Sequence, residues 1–287
     1  MLCKICDSAA APVVFQLNGS GVRVRRCREC GFTFVDHRVV ESRLESSEHD
    51  AAGVLDADPR YSAKFSERLA LVESTCGRVG GKRVLDVGAG GGGWLAVARD
   101  AGAEVEGIEF CETCRGYARS QRGLVLDTRP LEDAYWQSRS AAFDLVSAWD
   151  VFEHVNEPKE FLASCTGLLK PGGKLLLSTP VRDTWFDWMG EAGYHATLGR
   201  AQFLLRQRYS HAHLQIFHSR QLRELLRGAG LRELYYRKVQ ELSFRPEQYF
   251  RNIYGSSPAV APLGKLAGTL LRTLPLANKV IGIFEKT

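Results

Sequence analysis

At 287 residues, 45% hydrophobic and 25% charged, the chain has room for one sizeable α/β domain and a small appendage. It shows no internal repeat, no low-complexity tract and no run near the roughly 20 apolar residues of a membrane span. Its net charge of +5 is uneven: residues 200–287 hold 15 Lys/Arg against 5 Asp/Glu.

That basic third suits either an acidic partner (a nucleotide diphosphate, an anionic membrane surface or RNA) or a solvated, Arg-rich helical surface. No apolar leader follows Met1, so a reducing, cytoplasmic setting is expected. Eight cysteines do not make a disulfide scaffold in a chain this long without export signals.

Residues 1–40 read as a self-contained unit. Cys3-x2-Cys6 opens it and Cys27-x2-Cys30 closes it, with strand-like runs at Val13–Leu17, Val22–Arg26 and Phe32–Val35. Two such pairs, 20 residues apart, have the spacing of a four-cysteine zinc ribbon. Four thiolates close the coordination sphere, so the expected zinc is structural. Residues 41–60 are polar and read as a linker or a loosely held helix. From Tyr61 to Cys76, Phe65, Leu69 and Val72 recur at helical spacing.

Strand and helix then alternate, which predicts βαβ units and a parallel sheet across 61–287. Strands are expected at Arg83–Val87, Glu104–Ile108, Leu124–Leu126, Phe143–Ala148, Lys174–Ser178, Leu231–Val239 and Lys279–Phe284. Helices are expected at Trp94–Ala101, Glu112–Arg122, Pro158–Leu169, Ser219–Gly228 and Leu263–Leu274. Residues 181–217 interleave aromatics with Arg and His and read as a long irregular insert, a lid over substrate. Trp185, Trp188, Tyr194 and Tyr209 either wall an acceptor there or pack as core.

The strongest motif is Val84-Leu85-Asp86-Val87-Gly88-Ala89-Gly90-Gly91-Gly92-Gly93-Trp94: a strand running into glycines and then a helix. Glycines let the backbone turn tightly and approach a ligand, with the helix N-terminus facing it. Such loops also bind dinucleotides. Three features favour S-adenosylmethionine: Asp86 just before the glycines, Glu109 about 20 residues on at the spacing of a ribose-binding acid, and the strings Trp149–His154 and Leu168–Gly173 after the fourth strand and before the fifth.

The motifs LDVGAGGGGWL, GIEF, FDLVSAWDVFEHVNEP and LLKPGGKLLLSTP resemble, in order and spacing, class I S-adenosylmethionine-dependent methyltransferases. The resemblance covers roughly 61–287 and is strongest to the branch of ubiquinone, sugar and natural-product methyltransferases. It implies a Rossmann-like, doubly wound, seven-stranded sheet. It also implies that Gly88, Ala89, Gly90 and Gly92 line the methionine part, with Asp86 nearby. Glu109 would grip the ribose, Phe110 would lie against adenine, and Leu131 would approach the adenine edge. Trp149 and Asp150 would close the methionine side, and Tyr61 would cap the cofactor. The cysteine module is similar to segments that precede some sugar C-methyltransferases.

Methyl transfer needs in-line alignment and, for a hydroxyl acceptor, a base. His154, at the C-terminal end of the fourth strand, and His213 are the catalytic candidates, with His211 a weaker third. Glu153-His154 alternatively anchors a helix. Cys111-x2-Cys114 has no second pair nearby and reads as coincidence, and Cys76 and Cys165 as small buried residues.

The leading expectation is O- or C-methylation of a small or carrier-linked acceptor, a sugar or secondary metabolite, including a lipid- or nucleotide-linked glycan. The alternatives are an RNA methyltransferase, disfavoured because no RNA-binding signature appears, and a non-catalytic scaffold that binds the cofactor. Helix 263–274, with leucines on one face and Lys265 and Arg272 on another, either rests on the inner face of an anionic membrane or packs on its own domain. A homodimer is a further reading of the ribbon.

Overall fold

The computed structural model describes residues 1–18, 21–37, 59–209, 213–241 and 277–287. The helix read at 263–274, most of the 41–60 linker and His211 lie outside the described residues. So does the side chain of Tyr61.

The N-terminal strands are β1 (Val13–Leu17), β2 (Val22–Arg26) and β3 (Thr33–Val35). Helix α1 (Pro59–Cys76) leads into β4 (Arg83–Val87), α2 (Gly93–Asp100), β5 (Glu104–Ile108), α3 (Glu112–Arg122) and the single turn α4 (Ala134–Gln137). Then come β6 (Phe143–Trp149), α5 (Pro158–Leu168), β7 (Leu169–Pro180), α6 (Trp185–Ala196), α7 (Phe203–Arg208) and β8 (Gln215–Ile216). Helix α8 (Ser219–Gly228), β9 (Leu231–Val239) and β10 (Lys279–Lys286) complete the described elements.

The main sheet runs β5-β4-β6-β7-β10-β9. The pairs β5/β4, β4/β6 and β6/β7 are parallel, and β10 lies antiparallel between β7 and β9. Side chains alternate across the strands with period two. Val84, Leu145 and Leu176 face α1 and α2, packing with Phe65, Val72, Trp94, Leu95 and Ala98. Leu85, Val146, Leu175 and Leu177 face the opposite way, against Phe161, Leu162, Cys165, Leu222 and Leu226 of α5 and α8. Each such buried side chain contributes about 1.5–3 kcal/mol relative to exposure.

Two expectations change. The third expected strand, read at Leu124–Leu126, contracts to one parallel bridge between Ile108 and Asp127 at the sheet edge. Leu124 and Leu126 are buried with Val125 76% exposed between them, so the alternation persists where the ladder does not. The insert at 181–217 is not irregular: it forms α6 and α7. A buried ion pair from Arg208 to Asp187 (2.9 Å) locks the two helices together, and Arg208 also bonds the Val181 carbonyl.

The cysteine module completes its sheet from outside residues 1–40. Its order is β1-β2-β3-β8, with Thr33 opposite Ile216 and Phe34 opposite Gln215. Its own core, Phe15, Leu17, Val22, Val24 and Val35, takes in Leu205, Tyr209 and Ile216.

Candidate functional site

The β4 strand delivers the chain to a loop in which Gly88 (φ 71°), Gly90 (φ 54°) and Gly92 (φ 76°) are left-handed. L-residues avoid this region because Cβ crowds the carbonyl. A Cβ on Gly88 would also stand 2.5 Å from Val151 Cγ2. The Gly88 and Ala89 amides both donate to the Ile108 carbonyl at 2.9 Å, which fixes the loop to the end of β5.

Glu109 follows immediately on that strand. Its two carboxylate oxygens accept the amide protons of Gly90 (2.7 Å) and Cys111 (2.8 Å). A carboxylate has about four lone-pair positions, so two remain for a ligand. The Glu109 amide donates to the Asp127 carbonyl at 2.9 Å, bringing in the turn that leads to Leu131. Phe110, partly buried, and Leu131, 4% exposed, both pack on the core face beyond this edge.

Asp86 is buried beneath the glycines, where its carboxylate accepts a 2.6 Å bond from the Ser147 hydroxyl. Burial lifts its pKa to about 7 against that bond and the nearby Arg68. Trp149 is held edge-on to Trp94 (5.6 Å between centroids) and under the Arg68 guanidinium (4.3 Å). Its indole therefore backs the site from the α1 side. Tyr61 is placed only by backbone, in the first turn of α1.

Asp150 leaves β6 with φ 59°. Its carboxylate accepts from Ser178 Oγ (2.7 Å) and from the buried ammonium of Lys279 (2.8 Å), with Lys64 at 3.7 Å. Burial opposes the charge, yet Lys279, Lys64 and Arg68 outweigh it and hold Asp150 well below the usual carboxylate range. Glu241 closes the network, pairing with Lys64 (2.9 Å) and Arg68 (3.2 Å). Sequence reading missed Lys64, Arg68, Glu241 and Lys279. One signal was available in Lys279, a lone charge opening the apolar strand VIGIF.

Just past the C-terminal end of β6, Glu153 and His154 meet His213 from the segment before β8, each offering one ligand atom within 4.8 Å of the others. The two imidazole centroids are 4.9 Å apart. Glu153 is buried and accepts from the Thr179 hydroxyl at 3.0 Å, and burial raises its pKa. His213 is partly buried, and its ring lies against the Arg208 carbonyl at 3.3 Å. That burial, together with the neighbouring His154, lowers its pKa to about 3. The group can relay a proton, and its chemistry also suits a divalent cation.

The aromatics of the insert divide. Trp185 and Trp188 are 50% and 68% exposed. Tyr194 instead meets Phe15 edge-on at 5.1 Å, and Tyr209 is buried among the residues of the cysteine module. The four cysteines cluster as expected from their spacing. The Sγ pairs Cys3/Cys30 and Cys6/Cys27 are each 3.5 Å apart, and all four sulfurs lie within 4.8 Å. A tetrahedral ion with Zn–S of about 2.3 Å has sulfur–sulfur edges of about 3.8 Å, so the donor set fits zinc. Cys111 and Cys114 are buried at the start of α3, and no other cysteines join them in a cluster among the described residues.

The methyltransferase domain family matches residues 58–235. The ubiquinone biosynthesis O-methyltransferase of Azoarcus sp. is 34% identical over 170 residues, covering 57% of this chain and 70% of that protein. Its counterpart in Aromatoleum aromaticum is 30% identical over 204 residues, covering 62% and 84%. The fold is similar to magnesium protoporphyrin IX methyltransferase from Synechocystis, solved with bound SAH, at TM-score 0.56 and 14% identity over 86% of this chain and 98% of that one. It is also similar to a SAM-dependent methyltransferase from Archaeoglobus fulgidus, at TM-score 0.52 and 18% identity over 78% and 94%.

Proposed function

Since the chain belongs to the methyltransferase domain family and is an S-adenosylmethionine-dependent methyltransferase, we propose that it methylates a hydroxyl of a small or carrier-linked acceptor, a sugar or secondary metabolite. The observation carrying this reading is the meeting of Glu153, His154 and His213 at the C-terminal end of β6, the edge of an open α/β sheet where ligands bind.

In this reading Gly88, Ala89, Gly90 and Gly92 cradle the methionine part with Asp86 beneath them, and Trp149 and Asp150 close its far side. Glu109 takes the ribose hydroxyls on the lone pairs its two amide bonds leave over. Phe110 and Leu131 flank the adenine, and Tyr61 caps the cofactor. The cofactor supplies an electrophilic methyl group. What the protein must add is alignment, exclusion of water and removal of one proton.

His154 is the base, accepting the acceptor's hydroxyl proton. His213 stays neutral through the physiological range because its pKa lies near 3. It orients the His154 ring, while the Glu153 carboxylate lies close enough to stabilise the imidazolium formed. Cys3, Cys6, Cys27 and Cys30 hold a structural zinc, a role supported by the fit of their sulfurs to a tetrahedron.

The test supplies methyl-labelled S-adenosylmethionine and a cell extract separated into small polar molecules, lipids and RNA. Alkali-stable label in the polar or lipid fraction is the expected result. Label confined to RNA overturns the acceptor class.

A further inference from the structure

The cysteine module is wired to the histidines. Cys27 and Cys30 bracket a tight turn in which the Gly31 amide donates to the Cys27 carbonyl (2.9 Å) and the Cys27 amide to the Phe32 carbonyl (2.8 Å). The Phe32 ring meets Phe217 at 4.9 Å, and Phe217 stacks on Phe152 at 5.0 Å and 11°. Phe152 immediately precedes Glu153 and His154.

A second connection runs through the backbone. The Val35 amide donates to the Leu214 carbonyl (2.8 Å), and the Leu214 amide donates to the Glu153 carbonyl (2.8 Å). Gln215, buried on β8 opposite Phe34, donates both its amide protons to the loop that carries His154, to the carbonyls of Phe152 (2.9 Å) and Val155 (3.0 Å). His213 lies two residues before this strand.

A third set of contacts seats α6 and α7. Arg26 and Arg182 share Glu191 (2.8 and 2.6 Å), the Gln16 amide donates to the Tyr194 hydroxyl (3.2 Å), and the Asn18 amide donates to Gln202 (2.8 Å). The glycine loop and Glu109, by contrast, are fixed by β5 and the Asp127 turn, with no hydrogen bond to the module among the described residues.

We propose that the four-cysteine module is the positioning element of the acceptor half of the site. A thiophilic divalent cation on its sulfurs sets the Glu153–His154–His213 group and the α6–α7 lid, and leaves cofactor binding alone. The inference rests on the catalytic reading of His154 given above. Packed aromatic stacks and paired strands are stiff, so disorder in the turn at Cys27–Cys30 passes directly to Phe152 and Leu214.

The full-length chain, loaded with zinc, is compared by hydrogen exchange before and after the metal is stripped with a thiol-specific mercurial and a chelator. S-adenosylhomocysteine affinity is titrated in parallel. Amides at 152–156 and 213–217 should exchange about tenfold faster or more, while those at 84–92 and 104–110 and the S-adenosylhomocysteine Kd change by less than about threefold. Uniform acceleration with loss of binding would mean the module merely stabilises the whole chain, and unchanged exchange at 152–156 would mean it sets nothing. Either result overturns the proposal. Because stripping could unfold the chain, Gln215→Leu with the cysteines intact provides the second test. It should retain zinc and S-adenosylhomocysteine binding and still accelerate exchange at 152–156, and unchanged exchange there would likewise overturn the proposal. If untreated protein fails to bind S-adenosylhomocysteine, the functional reading falls and not the coupling.

Discussion

Replacing Lys279 by Met tests the charge network under Asp150 with little change in side-chain volume. The Lys279 side chain is 7% exposed, with the ammonium 2.8 Å from Asp150 and 3.9 Å from Glu241. Removing one member of a buried pair strands the other charge, at a cost of about 3–5 kcal/mol. Two features reduce that figure here: Asp150 keeps 28% of its side chain exposed, and Lys64 stands 3.7 Å away as a substitute partner. A loss of about 2–3 kcal/mol is therefore expected, which lowers Tm by about 4–10 °C in a chain of this size. The sign with pH follows from the depressed pKa of Asp150: its contribution is present above the ordinary carboxylate range and is lost only in strong acid. The deficit of the variant should thus stay constant between about pH 5 and 8. Thermal unfolding of wild type, Lys279→Met, Asp150→Asn and the double variant reads this directly, and the double variant should lose less than the two singles combined. A Tm for Lys279→Met within about 1 °C of wild type would refute the reasoning.

Gly88→Ala meets both a left-handed backbone and the Val151 methyl, so S-adenosylhomocysteine should bind at least about tenfold more weakly by calorimetry. An unchanged Kd would show that the loop does not cradle the cofactor. Asp86 has a folded-state pKa raised to about 7, so its stabilising contribution is greatest below about pH 4 and is lost as pH rises through 7. Asp86→Asn should abolish that loss, on the order of 4 kcal/mol at most between pH 4 and 8, in denaturant titrations of ligand-free protein. Parallel pH curves for the two proteins would contradict the assignment.

Local signals carried much of the fold. Strands Val13–Leu17, Val22–Arg26, Arg83–Val87, Glu104–Ile108 and Leu231–Val239, and helices Glu112–Arg122 and Ser219–Gly228, have the ends that apolar periodicity and flanking glycines assign. What failed depends on distance along the chain. Nothing near Gln215 announces that it completes a sheet with Phe34, because pairing across some 180 residues leaves no periodic trace in a two-residue strand. The helices of the insert were hidden for a related reason: Tyr194 turns to Phe15 of the cysteine module while Trp185 and Trp188 stay exposed, so the regular stripe of a helix packed on its own sheet is missing.

The site divides the same way. The glycine loop and Glu109 are contiguous motifs and were readable as such. The members of the Asp150 network come from α1, from just after β9 and from the start of β10, and only folding unites them. His154 and His213 could be named individually, but their 4.9 Å approach could not be read from sequence, since it depends on Leu214 bonding to Glu153.

The most direct measurement is the rate of label transfer by His154→Gln against wild type, using the extract fraction that accepts label, with S-adenosylhomocysteine affinity measured on the same preparations. A general base contributes about 10²–10⁴-fold, so the rate should fall within that range while the Kd stays within about threefold of wild type. Transfer at the wild-type rate with unchanged affinity would contradict the assignment of His154 as the base.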